Sequence, residues 1–311
     1  MARICIIEGC DGSGKTTLAN WLVKEHGFLY YHLGPPKPGE DLLTAYTRVL
    51  LTAKHSKRDV VIDRLYLGEA IYGPIMRGKD TLGRHGRTLI ERLCHSLGAR
   101  LVICLPRLDI CMKNWDAKQN DYVDTEDKFM RVYEAYEAEA KGNYLPYDYT
   151  DPHEAIHRHW MLDEAKTPLP DGVIGNPAAE FLIVGEQVNA KRAIANLPFY
   201  SLEHSSLYLL EALSVSRLRE ENLAFTNAVR PGGKVADKHR HRRKSTKDFN
   251  LLQVARSLPY FERAIALGDT AARVCAKQGV PFKKVPHPSF WKRFKYNDLK
   301  GYATLLEEAA Q

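Results

Sequence analysis

The sequence predicts two α/β domains in tandem, the first a doubly wound parallel sheet carrying a phosphate-binding loop (P-loop). Three observations lead there. Residues Gly9 to Thr16 read GCDGSGKT, a full match to G-x-x-x-x-G-K-[ST] set between a strand pattern and a helix pattern. Apolar strand runs then alternate with helix-like stretches, the arrangement of a parallel sheet with its ligand at the carboxyl ends of the strands. The charge balance changes near the middle of the 311 residues: Met1 to Gly175 holds 23 Lys+Arg against 25 Asp+Glu, and Asn176 to Gln311 holds 22 against 13. The length suits two domains of ordinary size.

In chain order, the apolar run Ile4-Cys5-Ile6-Ile7 reads as a buried strand, and Thr16 to Val23 as a helix ended by Gly27. Asp41 to Ala53 is helix-like, Asp59 to Asp63 a short buried strand, Leu82 to Leu97 a helix before Gly98, and Leu101 to Leu105 a further strand. The prolines and glycines of Thr167 to Pro177 resist helix and strand alike, which places a linker at 166–177 between domains at 1–165 and 178–311. Beyond it, Phe181 to Val184, Leu223 to Thr226 and Ala264 to Leu267 read as strands, with helices near Glu203 to Leu213 and Leu299 to Ala310.

No apolar run approaches the roughly 20 residues of a membrane span, and the N-terminus enters a strand with no signal-peptide pattern. The expectation is a soluble, cytoplasmic protein with no membrane partner. The six cysteines show no CxxC pairing and read as reduced core thiols, with no metal or iron–sulfur framework.

The loop residues Gly9, Gly12, Ser13, Gly14, Lys15, Thr16 and Thr17 are the candidate ATP site. Glycines let backbone N–H groups wrap a polyphosphate, Lys15 reaches the β and γ phosphates, and the Thr16 hydroxyl can ligate Mg²⁺. Asp63 and Arg64 close the next strand. An aspartate there can hold Mg²⁺, directly or through water, and an arginine can clamp a phosphoryl group with two parallel hydrogen bonds.

These residues resemble a family. Ile7 to Thr17 is similar to the opening of the thymidylate kinases, Asp63-Arg64-Leu65-Tyr66 to their Asp-Arg-Tyr segment with one residue inserted, and Leu67 to Gly78 to the phage-type branch. The resemblance covers roughly residues 1–165 and implies a bacterial or phage-infected cell. It implies that Asp11 approaches the acceptor's sugar or phosphate, that Arg64 holds the acceptor phosphate, and that Tyr66, Tyr72 or Arg77 line the acceptor pocket. It also implies a homodimer. Where the family carries lid arginines this chain has only Lys113 and Lys118, point charges in place of guanidinium forks. The stretch Gly34 to Gly39 lacks the family's Arg-Glu-Pro arrangement, which leaves the acceptor open.

In the basic half, Gly185-Glu186-Gln187-Val188-Asn189, Asn227 after a strand, Leu267-Gly268 before Ala271 and His287-Pro288-Ser289 follow in order. This set resembles the uracil-DNA glycosylase superfamily over roughly 178–311. The resemblance implies that Asn227 reads a base edge, that His287 stabilises charge on a departing base, that Glu186 or Asn189 lies near an activated water, and that Phe199 stacks on the base. Gln187 stands where one branch has its water-activating aspartate, and the four cluster-binding cysteines of another branch are missing. Within this half, the run from Lys238 to Lys247, with Arg240, Arg242, Arg243 and Lys244, has the composition of a nucleic-acid phosphate contact.

The expected activity is ATP- and Mg²⁺-dependent phosphoryl transfer to a deoxynucleoside monophosphate, beside a glycosylase-like domain that binds a base or DNA. Two alternatives stand. In one, the acceptor is 5-hydroxymethyluracil in DNA, extruded from the helix. In the other, the chain is a DNA-binding or base-excision protein whose P-loop domain is a nucleotide-dependent switch.

Overall fold

The computed structural model describes residues 2–116, 122–141, 144–151, 169–186, 197–200, 204–229, 248–295 and 297–311. The chain divides into two compact units, Met1–Ile90 with Leu97–Lys166, and Thr167–Gln311 with Glu91–Ser96.

The first unit runs β1 (Ile4–Gly9), α1 (Lys15–His26), β2 (Leu29–His32), α2 (Leu42–Lys54), β3 (Val60–Asp63), α3 (Tyr66–Arg77), α4 (Gly83–Ser96, of which Glu91–Ser96 is counted with the second unit), β4 (Arg100–Cys104), α5 (Leu108–Asp116), α6 (Glu126–Ala140) and β5 (Leu145–Tyr147). Its five strands lie in the order β2-β3-β1-β4-β5 and every neighbouring pair is parallel. The order reverses at β1, where the chain moves from the β3 side to the β4 side; ligands of such sheets bind at that point. Register brings the strand ends together, with Ile7 opposite Asp63, Asp63 opposite His32, and Gly9 opposite Cys104. Leu18 and Leu22 of α1 pack with Cys5, Ile7, Val61, Val102 and Tyr147 of the strands. That packing anchors the first turn of α1 over the strand ends.

The expected helices and strands of this unit form, with ends displaced by one to three residues. β2, α3, α5, α6 and β5 form beside them without having been expected. β2 has only four residues and partial burial. α3 contains Gly68, Gly73 and Pro74, residues that oppose a helix, and forms because tertiary contacts support its start.

The second unit runs β6 (Ile174–Gly175), β7 (Phe181–Gly185), α7 (His204–Val215), β8 (Leu223–Asn227), α8 (Leu251–Ser257), β9 (Arg263–Leu267), α9 (Asp269–Gln278), β10 (Phe282–Val285), α10 (Pro288–Phe294) and α11 (Leu299–Ala310). Its sheet has the order β10-β9-β7-β8-β6. The first four strands are mutually parallel, while β6 pairs antiparallel to β8. Here the linker expectation is corrected. Ile174 and Gly175 pair with Phe225 and Ala224, because an edge strand of two residues needs partners on one side only and tolerates flanking proline and glycine. Leu182, Val184, Ala224, Ala264, Ala266, Val254 and Val274 form the core between this sheet and its helices.

All six cysteines are buried and free of disulfides. No helix among the described residues is long and apolar enough to cross a membrane.

Candidate active site

The phosphate loop leaves β1 at Gly9 and enters α1 at Lys15. Gly9 has φ 144°, and a Cβ there would stand 2.3 Å from the Cys104 carbonyl oxygen of the neighbouring strand, so the loop can leave the sheet only as glycine. No side chain caps α1 at Gly14. Its first-turn N–H groups therefore remain available to an anion at the positive end of the helix dipole. Thr16 and Thr17 are exposed on that turn, and the Ser13 hydroxyl is buried without a hydrogen-bond partner.

Lys15 does not extend freely from the loop. It is buried, and its Nζ donates to the carbonyls of Gly9 at 2.9 Å and Cys10 at 2.6 Å. Burial, and then the Arg64 guanidinium, lower its pKa; Asp11 opposes them. The loop thus holds its own cation in place through its backbone carbonyls.

Asp63 is buried at the end of β3. Its Oδ2 accepts from the Tyr30 hydroxyl at 2.7 Å and lies 3.4 Å from His32 Nδ1, while its Oδ1 has no partner. An orphaned carboxylate oxygen beside a phosphate loop, together with the exposed Thr16 hydroxyl, fits a hard cation such as Mg²⁺, which takes one or two protein oxygens and completes its shell with phosphate and water.

Arg64 has φ 70°, a left-handed conformation that costs a non-glycine residue energy and is held here by its surroundings. Its N–H donates to the Ile7 carbonyl at 2.9 Å. Its Nη2 reaches Asp11 Oδ1 at 2.6 Å, and its guanidinium carbon lies 4.7 Å from the centre of the Tyr72 ring. The Tyr72 hydroxyl donates to the other Asp11 oxygen at 3.2 Å. These three residues face a cavity of about 270 Å³, whose wall continues through His32, Pro35, Pro36, Tyr46, Glu69, Arg77 and Tyr122. Of the expected acceptor residues, Tyr72 and Arg77 line it. Tyr66 does not: it is buried, with its hydroxyl 3.2 Å from that of Tyr144. Lys113 is exposed on α5, and Lys118 lies outside the described residues.

In the second unit, Gly185 ends β7 at a point where a Cβ would come within 2.3 Å of the Phe199 ring and 2.5 Å of Asn227 Oδ1. The missing side chain is what lets those two groups converge. Phe199 has φ 51° and also packs edge-on against Phe225. Glu186 Oε1 accepts from the Thr270 N–H at 3.4 Å, and the same oxygen and His287 both lie against Gly268. His287 Nδ1 shares a hydrogen bond with the Ser289 hydroxyl at 2.7 Å. Burial lowers the His287 pKa, with the Glu186 carboxylate opposing, which favours the neutral imidazole. The sheet therefore gathers Glu186, Phe199, Asn227 and His287 at its strand ends. Gln187, Asn189, Arg240, Arg242, Arg243 and Lys244 lie outside the described residues.

Comparison with solved structures finds likenesses over half of the chain. The YorR protein from Bacillus subtilis, in complex with phosphorylated GDP, is 18% identical with a TM-score of 0.42, covering 51% of this chain and 93% of that one. Deoxyadenosine kinase from M. mycoides with bound dATP is 15% identical with a TM-score of 0.36, covering 51% of this chain and 97% of its own. The same enzyme with bound dCTP is 14% identical with a TM-score of 0.32 and the same coverage. No family model and no curated protein matches the sequence.

Three residues that sequence reading missed complete the first site. Glu8 is fully buried; its Oε1 accepts from the N–H groups of Leu65 at 2.7 Å and Gly68 at 3.2 Å, and its Oε2 from the Tyr136 hydroxyl at 3.1 Å. It thereby caps α3 and fixes the turn that carries Arg64. Asn114 of α5 donates to the Gly12 carbonyl and to the Tyr149 hydroxyl, both at 2.9 Å, and so pins the phosphate loop. Glu69 is buried against Arg77 and accepts from the Thr81 N–H at 3.0 Å. Glu8 follows the strand run directly before Gly9 and was visible as a charge in an apolar context; Asn114 and Glu69 carry no local signal.

Proposed function

We propose that the first unit transfers the γ-phosphoryl group of ATP to a deoxynucleoside monophosphate. The observation that carries this reading is the Asp11–Arg64–Tyr72 constellation, which joins the phosphate loop to the cavity beside it. A phosphoryl transfer needs charge neutralisation and alignment more than covalent chemistry. Lys15 would exchange its two carbonyl partners for phosphate oxygens, and the free N–H groups of α1 would hold the same chain of phosphates. Arg64 would clamp the acceptor phosphate, with Asp11 and Tyr72 holding the guanidinium in line. Thr16 and Asp63 would hold Mg²⁺, whose chemistry is to neutralise charge on the phosphates. The acceptor phosphate oxygen is the nucleophile, so no serine or cysteine is needed.

A second reading keeps this chemistry and makes 5-hydroxymethyluracil in DNA the acceptor. The convergence of Phe199 and Asn227 at Gly185 favours it, since a ring and an amide edge suit an extruded base. So does α10, on which Phe290 and Phe294 are 52% and 57% exposed beside Lys292, Arg293 and Lys295. Exposed rings interleaved with cations suit stacked bases and phosphates. For the second unit we propose base or nucleotide binding with little excision.

The test is transfer from γ-labelled ATP to the deoxynucleoside monophosphates and to DNA containing 5-hydroxymethyluracil. Label in a nucleoside diphosphate supports the first reading and label in DNA the second. ATP hydrolysis with label in neither, together with nucleotide-dependent DNA binding, would replace both with a switch.

A further inference from the structure

The acceptor cavity has two unlike ends. At the phosphate loop stand Asp11 and Arg64, a charged pair suited to a phosphate and its sugar. Much of the remainder is walled by rings and prolines, those of Tyr46, Tyr72, Tyr122, Pro35 and Pro36. The Tyr72 and Tyr122 ring centres lie 6.0 Å apart with their planes tilted by 31°. Flat rings and prolines suit the face of a nucleobase. Within this aromatic part there is a second cation, Arg77.

Arg77 is held from behind. One terminal nitrogen pairs with the buried Glu69 carboxylate, and the other donates to the Tyr122 hydroxyl at 2.6 Å. Glu69 is itself fixed by the Thr81 N–H at 3.0 Å. The Glu69 side chain is 1% exposed and the Arg77 side chain 27%, so of the pair the cation presents the larger surface to a ligand. An arginine has five N–H donors and no acceptor. These two bonds leave donors free to face the cavity.

We infer that Arg77, positioned by Glu69 and Tyr122, reads the acceptor's base and selects bases that present a carbonyl oxygen at the contacted edge. An amino group there would put donor against donor and leave both unsatisfied in a confined site, the more costly outcome. Thymine, uracil and guanine offer such a carbonyl; cytosine and adenine offer an amino group in its place. The inference rests on the nucleotide-acceptor reading of this cavity and adds which acceptors enter it. Arg77 is the specificity residue, and Glu69 is a positioning residue that acts through it.

The experiment measures direct binding by calorimetry, on the full chain without ATP, of dTMP, dUMP, dGMP, dCMP and dAMP, alongside phosphoryl transfer to each. The carbonyl-bearing nucleotides are expected to bind at least about tenfold more tightly than the other two. Arg77→Gln, whose amide both donates and accepts, should reduce that preference to within about threefold. Arg77→Lys, a donor without acceptors, should keep its sign at weaker affinity. Glu69→Gln should narrow it part of the way, and unchanged melting temperatures would show that the variants fold. Equal binding of all five nucleotides, no binding of any, a preference that survives Arg77→Gln, or a uniform loss across all five in that variant would overturn the inference. The last pattern would mean that Arg77 holds phosphate. Transfer without base preference defeats the inference and leaves the kinase reading standing. Selective binding that Arg77→Gln erases, with no transfer, does the reverse.

Discussion

Arg64 Nη2 lies 2.6 Å from Asp11 Oδ1, a bond that ties the end of β3 to the middle of the phosphate loop. Asp11 belongs to the loop that would hold the donor, and Arg64 faces the cavity that would hold the acceptor. The left-handed backbone at Arg64, φ 70°, is the conformational cost of aiming the guanidinium there. Glu8 sustains it by accepting from the next residue's N–H, that of Leu65.

Lys15→Ala should remove at least nine-tenths of phosphoryl transfer, since loss of one such charge ordinarily costs several kcal/mol. Because Lys15 is buried on carbonyls of its own loop, the variant should be checked by thermal unfolding. Transfer above about a tenth of wild type in a folded variant would count against the site. Asp63→Asn should also impair transfer and change its dependence on Mg²⁺ concentration.

Burial raises the Glu8 pKa above its ordinary 4.5. Its contribution to stability is then fully present below pH 4.5 and declines as pH rises through the folded-state value, because ionisation must occur in a buried site. Glu8→Gln, which cannot ionise, should therefore gain in melting temperature relative to wild type as pH rises above 4.5 toward 8. A difference between the two that is constant across this range would refute the assignment.

Asn114→Ala removes the bonds to the Gly12 carbonyl and the Tyr149 hydroxyl. At about 1 kcal/mol for a net hydrogen bond, ATP affinity should fall roughly fivefold to tenfold, with a smaller change in the rate at saturation. Calorimetry with ATP is the measurement, and unchanged affinity would mean that the loop holds its shape unaided.

The run from Lys238 to Lys247 should give salt-sensitive, largely sequence-independent DNA binding. Replacing Arg240, Arg242, Arg243 and Lys244 together by Ser should weaken it and flatten its dependence on salt between about 50 and 200 mM. Binding that ignores both the substitution and the salt would exclude a backbone contact through this run.

The second unit should bind a pyrimidine base or nucleotide yet release little uracil from DNA. Asn227 can both donate to and accept from a base edge, and His287, neutral through burial, can donate to a carbonyl. Gln187 cannot take a proton from water as an aspartate would. The full chain is incubated with uracil-containing single- and double-stranded DNA and abasic sites are counted. Efficient release that disappears on Glu186→Gln would establish a second activity in place of simple binding.

Local pattern determined a good deal of this protein. The phosphate loop was legible because its glycines and Lys15 must be contiguous to wrap a phosphate chain. The buried strands β1, β3, β4, β7, β8 and β9 were legible because a parallel strand covered on both faces is a continuous apolar run. The strand-end residues Asp63 and Asn227 followed from those runs. What the tertiary structure alone decided depends on residues far apart in sequence. Tyr66 is buried and pairs with Tyr144, while Tyr72, six residues later on α3, reaches the cavity; the register of that helix is set by Glu8, 57 residues before Leu65. Asn114 reaches the phosphate loop across 102 residues. Lys15 is folded onto its own loop because a buried cation needs oxygen partners and the Gly9 and Cys10 carbonyls are the ones within reach. Periodicity records which side of an element is buried; it holds no record of which distant groups will satisfy one another there.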